Sequence, residues 1–362
     1  MKHPIYYKVN LKRLKGMTLV ELMIGLVIAM ILLAGVAEIF LGSKQTYRYQ
    51  EGMARLQENG RYTMDTLSAK IRMAGYTGCF SMDTGNLVNT VENGNVEFDF
   101  SKPIIAWQAN TSSYENNKDA TTYAAEIPDD IRDLISGTPA GTAYSDIIVF
   151  TGADNSGIRL ASAMPNSSAD LKVIKHDSGT LNTGDILLVS DCQKSAIFLA
   201  TNVTYPVGGG TGVTVNVVHN TGGPPGSTSN STTDLTGGNG TFDDDASLYK
   251  LAKIHYFIAP SEIGNNRGDT VMALWKKYNN NDPEEMVAGV SNMQISLGED
   301  YDADKSADRY GDANLVDFEN VTSVRLEIDS DTVERINNKS SISDAIRTQT
   351  FVQTISVRNR SI

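Results

Sequence analysis

The sequence predicts an α+β protein. One long N-terminal helix, half membrane-spanning and half amphipathic, packs on a C-terminal antiparallel β-sheet enlarged by a β-rich insertion. Three observations lead there. An apolar run opens at Met17, and a stripe of helical period continues it without a proline between Pro4 and Pro103. Beyond Cys79 the pattern changes to short alternating and β-branched runs separated by turn residues.

Residues 1–16 read as a leader. They carry Lys2, Lys8, Lys12, Arg13 and Lys15 and no acid, so this end is expected to stay cytoplasmic while the rest crosses the membrane. From Leu22 to Ala37 no side chain is charged, and 17–41 is read as the spanning half. Roughly 20 apolar residues at about 1.5 Å rise cross a hydrocarbon core of about 30 Å. An ordinary secretory signal is cut after its apolar segment. Here the suitable junction, Gly16–Met17, lies before it, and cleavage there would remove the charges and keep the anchor. The alternative, an uncleaved signal anchor, requires neither Gly16 nor Glu21.

Glu21 is the informative residue of the anchor, because a carboxylate in hydrocarbon costs about 2.5 kcal/mol or more unless paired. No cation lies within the anchor. The α-amino group freed at Met17, its own or a neighbouring subunit's, would supply one. That pairing would neutralise both groups and set the axial register of a staggered helix bundle.

Residues 42–75 read as the amphipathic half. Tyr49, Met53, Leu56, Met64, Leu67 and Ile71 fall on one helical face. Glu51 with Arg55, and Arg61 with Asp65, sit four apart as surface pairs. Gly75 ends the helix. Gly25, Gly35, Gly42, Gly52 and Gly60 are its weak points, each costing about 1 kcal/mol relative to Ala.

Residues 76–362 form the expected head, as one domain or two. Strands are predicted at 146–150, 171–175, 185–190, 196–200, 213–218, 248–259, 270–275, 293–297, 321–329 and 351–357, with a short helix near 129–135. Residues 208–246, dense in Gly, Ser, Thr, Asn and Asp, read as a long mobile loop.

The chain of 362 residues has a formal net charge of −12, and losing the leader's five cations leaves 26 basic against 43 acidic residues, or −17. Such a surface argues against a general nucleic-acid groove. The two cysteines, Cys79 and Cys192, both fall beyond the anchor, in an oxidising compartment. A disulfide is the natural reading, stapling the segment after the long helix to a strand in mid-chain. Two free thiols are the alternative.

Catalytic motifs are absent from the sequence: no metalloprotease helix, nucleophile elbow, phosphate loop or dinucleotide fingerprint. His176, His219 and His255 are the histidines left after cleavage, and His255 falls in an alternating strand as a structural residue. No cofactor is expected. The one ligand-like spacing is Asp300, Asp302 and Asp304, followed by Asp308 and Asp312. It resembles the start of a calcium loop. The pattern then breaks, with Lys305 in place of the turn glycine and Gly311 in place of the closing Glu, which favours a solvated acidic loop over calcium. Asn-x-Ser/Thr triplets at Asn202 and Asn230 are read as loop composition.

The run Gly16-Met17-Thr18-Leu19-Val20-Glu21 behind a basic leader resembles the type IV prepilins. The resemblance implies cleavage at Gly16/Met17 by a leader peptidase-methyltransferase, N-methylation of Met17, and a filament-assembly carboxylate at Glu21. Further blocks at 185–192, 248–259, 274–294, 324–328 and 351–359 resemble the PilW family of minor pilins, related to the J-type minor pseudopilins of type II secretion. That resemblance implies a pilin-like fold and a subunit stored in the inner membrane by a single pass, N-terminus cytoplasmic and head periplasmic. The subunit would then enter a type IV pilus at its base or tip. The implied partners are other minor pilins, the major pilin and the inner-membrane assembly platform. A type II secretion pseudopilin, a pilus-mounted adhesin and an anchored periplasmic enzyme are the alternatives.

Overall fold

The computed structural model describes residues 16–78, 86–92, 102–109, 114–115, 127–139, 145–153, 157–174, 181–206, 213–222, 229–336 and 345–359. Residues 1–15 of the basic leader lie outside them. The chain divides into two compact units, Met1–Gly52 and Met53–Ile362. Helix α1, Leu19–Met73, contributes to both.

In the first unit every large apolar side chain from Met17 to Leu41 is exposed, from 51% at Leu22 to 74% at Leu19. Each would forgo about 1.5–3 kcal/mol if left in water. This part of α1 is long and apolar enough to cross a membrane.

In the second unit α1 obeys its predicted period from Leu56 onward, while Met53 is half-buried and Tyr49, in the first unit, is exposed. Leu56, Met64, Leu67 and Ile71 are buried, and the last three join one core with Met293, Ile295, Val324, Leu326 and Ile355. Those residues belong to a four-stranded antiparallel sheet, ordered Arg309–Gly311, Val290–Glu299, Val321–Asp331, Thr348–Ser356. Polar bonds fix the helix on it. Ser68 Oγ donates to Gln353 Oε1 (3.0 Å), Asn59 Nδ2 to the Ala288 carbonyl (2.9 Å) and Ser330 Oγ to the Leu56 carbonyl (3.3 Å). Gly60, expected as a weak point of the helix, serves this contact: a Cβ there would fall on the Phe351 ring.

A second, ten-stranded sheet is organised by the 14-residue strand Ser247–Pro260. Its first half pairs with Ile186–Ser190, and its second half lies between Ile147–Ala153 and Met272–Tyr278. Helix α2, Asp129–Ser136, begins after Pro128 and buries Ile131 and Ile135 in a cluster with Trp107, Phe257 and Trp275. The sheet is not wholly antiparallel: Asn86–Asn89 runs parallel to Lys194–Leu199.

The stretch expected as one loop at 208–246 is built otherwise where it is described. The strand expected at 213–218 appears within it as Thr214–Val218, and Leu235 and Phe242, expected in the mobile loop, are fully buried. Asn230 explains the anchoring. Its Oδ1 accepts from Leu199 N and its Nδ2 donates to the Leu199 and Asn220 carbonyls, so the amide acts as one more peptide group beside Leu199, past the point where the partner strand Asn86–Asn89 stops pairing with Lys194–Leu199.

The two sheets meet at Asp146, which is 1% exposed. Its Oδ1 accepts from Ala109 N and its Oδ2 from Ile295 N, both at 2.8 Å, while its own N–H donates to the Met293 carbonyl. This carboxyl is raised to about 6, because burial pushes it up and the two N–H donors pull it only part of the way back.

Candidate functional site

Gly16, Met17 and Thr18 precede the helix, and nothing lies within 4 Å of where a Gly16 Cβ would be. Thr18 is the N-cap, since its carbonyl accepts the first helical bond from Leu22 N (3.2 Å). Glu21 stands three residues on. Its Oε2 accepts from Thr18 N (3.1 Å) and Thr18 Oγ1 (3.1 Å), and its own N–H donates to Thr18 Oγ1 (3.3 Å). This is a reciprocal capping box. It holds the Glu21 carboxylate at the positive end of the helix dipole, one peptide from the Met17 nitrogen. The Thr-x-x-Glu spacing of Thr18 and Glu21 is the signal in the sequence for such a cap.

Cys192 occupies the hairpin turn after the strand Ile186–Ser190, with φ 71°, and so not the strand itself. Among the described residues no cysteine is free. Cys79 lies outside them. The last residue before it, Gly78, sits against the Tyr249 ring, and Tyr76 meets the same ring edge-on at 6.0 Å. Tyr249 pairs directly with Leu188, four residues before Cys192.

Three carboxylates of the predicted acidic loop do converge: ligand atoms of Asp300, Asp302 and Asp304 lie within 4.8 Å of one another. Asp308 and Asp312 do not join them. The loop's own N–H groups already serve these acids. Asp300 accepts from Ala303 N and Lys305 N, both at 2.8 Å, and Asp304 from Ser306 N and Oγ, while Asp308 accepts from Tyr301 N. Ala303 and Lys305 take φ of 61° and 70° to allow it.

The two described histidines are packed as structural residues. His219 Nε2 lies 2.9 Å from the Ala169 carbonyl, and its pKa is lowered by burial. His255 stacks on Trp107 at 6.2 Å, and burial drives its pKa down to about 3. His176 lies outside the described residues. Trp107 and Trp275 are core, and Asn230 of the Asn-Ser-Thr triplet has its amide fully engaged.

Residues 11–37 match the family model of the prokaryotic N-terminal methylation motif, and residues 255–359 match that of type IV pilus-assembly protein W. No curated protein and no solved structure matches the chain. The second match takes in the four-stranded sheet that receives α1, together with the Met272–Tyr278 hairpin. Pilin families of this kind are structural and not enzymatic. With the methylation motif on a membrane-length helix and the assembly-protein-W region beneath its amphipathic half, the chain matches a type IV pilin of the PilW family.

Proposed function

We propose that the chain is a low-copy minor pilin that primes a type IV pilus or forms its tip. The observation carrying this is the union in one chain of a prepilin N-terminus and a PilW-type sheet bound to the same helix. The apolar half of α1, exposed throughout, needs either lipid or the helices of other pilins. The head is far larger than the helix, so a filament of many copies would be crowded by it. That steric fact favours base or tip.

In this proposal a leader peptidase cuts between Gly16 and Met17, where the chain is not yet helical, and methylates the Met17 amine. The Glu21 carboxylate then pairs with that amine, its own or a neighbour's. Its position 3.1 Å from Thr18 N supports the pairing, because the new amine forms one residue away. Cys79 and Cys192 form a disulfide in the head. The partners are other minor pilins, the major pilin and the inner-membrane platform. The subunit waits in the inner membrane with its head periplasmic, and afterwards stands on the cell surface, serving twitching motility, adhesion or DNA uptake.

The test is a strain carrying Glu21→Ala. Membrane levels should match wild type while the protein disappears from sheared filaments. Normal incorporation of the variant would remove Glu21 from assembly, and an intact leader on the wild-type protein would remove the processing step.

A further inference from the structure

We propose that an open groove on the three-stranded sheet of the head binds a neutral, hydroxyl-rich ligand, that is, a carbohydrate. The groove has a volume of about 580 Å³ and is lined by Ser162, Pro165, Asp170, Lys172, Thr214 and Asn216 among others. It lies between the two family matches, so neither accounts for it. It does not rest on the minor-pilin proposal.

The floor is rigid. Leu171 and Val173 alternate with Lys172 on one strand, Val215 and Val217 with Asn216 on the next, and the four aliphatic residues are at most 1% exposed. Alternation therefore turns Lys172, Thr214 and Asn216 to the open side. Asn216 stands opposite Lys172 in the register. Asn216 Nδ2 donates to Asp170 Oδ2 at 2.9 Å, which orients the amide and leaves Asn216 Oδ1 and Asp170 Oδ1 as acceptors. Ser162, Thr214 and Lys172 add donors and make no side-chain hydrogen bond among the described residues.

The ligand class follows from that set. Donors (Lys172, Ser162, Thr214) and acceptors (Asp170, Asn216) share one surface, as vicinal hydroxyls that each donate and accept require. Asp170 and Lys172 have opposite charge, so the groove has no net attraction for a polyanion. A largely apolar ligand would strand its polar groups, each a cost on desolvation. The volume suits a ligand of a few hundred Å³.

The experiment uses the full chain in micelles of a non-glycosidic detergent. Saturation-transfer NMR is recorded with neutral hexoses and N-acetylhexosamines at about 10 mM, the weak range expected for an open groove. A second arm uses surface polysaccharide from the producing cell. Signal is expected in at least one arm. Free sugars alone would indicate foreign glycans, and the polysaccharide alone the cell's own envelope. Asp170→Ala and Asn216→Ala should each weaken binding about tenfold, the loss of one good hydrogen bond, while Thr204→Ala, exposed on the same sheet, should not. Both groove variants should melt as wild type, which separates lost binding from lost folding. No signal in either arm, or equal signal from the groove variants, overturns the proposal.

Discussion

Replacing Asp146 by Asn should change the pH dependence of stability more than stability itself. The folded carboxyl titrates at about 6 against a reference of 3.8. A carboxylate whose pKa is raised on folding binds its proton more tightly in the folded state. Its contribution is therefore complete below 3.8 and is lost as pH rises through about 6. Each pH unit in that window is worth about 1.4 kcal/mol, so the ionised group costs the fold roughly 3 kcal/mol near neutrality. Asn removes that cost. It also turns an amide N–H toward the N–H of Ala109 or Ile295, and one unsatisfied buried donor costs about 1–3 kcal/mol. Near pH 7 the two effects nearly cancel, within about 2 kcal/mol. Near pH 4 wild type recovers its term and the variant does not, so the gap should widen by about 2–3 kcal/mol. Urea unfolding of the full chain in micelles, followed by the fluorescence of buried Trp107 and Trp275, measures it. His255, depressed to about 3, destabilises the fold in acid in both proteins and drops out of the difference. A gap that does not change with pH refutes the account of Asp146 as a strained buried anion.

Further outcomes are expected. Gly60→Val should lower the urea midpoint by the equivalent of about 1–3 kcal/mol through overpacking against Phe351, and Phe351→Ala should relieve part of that loss. Thiol titration of the unfolded chain should find two thiols only after reduction, and reduction should cost up to about 4–5 kcal/mol for a loop of roughly 110 residues; two thiols without reductant would dismiss the Cys79–Cys192 pair. Calcium at about 1 mM should leave the melting temperature unchanged, because backbone N–H groups already engage both Asp300 oxygens. A rise in melting temperature abolished by Asp302→Asn would assign a cation site instead.

Legibility in the sequence followed the range of the interaction. The period of Leu56, Met64, Leu67 and Ile71 foretold which face of α1 is buried, because that pattern repeats within a few turns. The strand expected at 248–259 appears as Ser247–Pro260, yet nothing in its alternation tells that its two halves serve different neighbours. Gly60 reads as a weak helix position by propensity, and only the approach of Phe351 shows what its missing side chain is for. The composition at 208–246, dense in Gly, Ser, Thr, Asn and Asp, suggests mobility. Two apolar residues, Leu235 and Phe242, were enough to bind it to the core once Asn230 had satisfied the edge of a strand.

By itself the sequence determined the long apolar helix, the odd carboxylate at Glu21 and the α+β class, and it is the ground for proposing a cut between Gly16 and Met17. Each depends on hydropathy, charge or period along a short stretch of chain. Tertiary structure alone decided the order of strands, the meeting of two sheets at Asp146 and the gathering of Asp170, Lys172 and Asn216 in one groove. Alternation marks which side of a strand is buried but not which strand lies beside it. That choice is made by packing and hydrogen bonding between residues far apart in the chain.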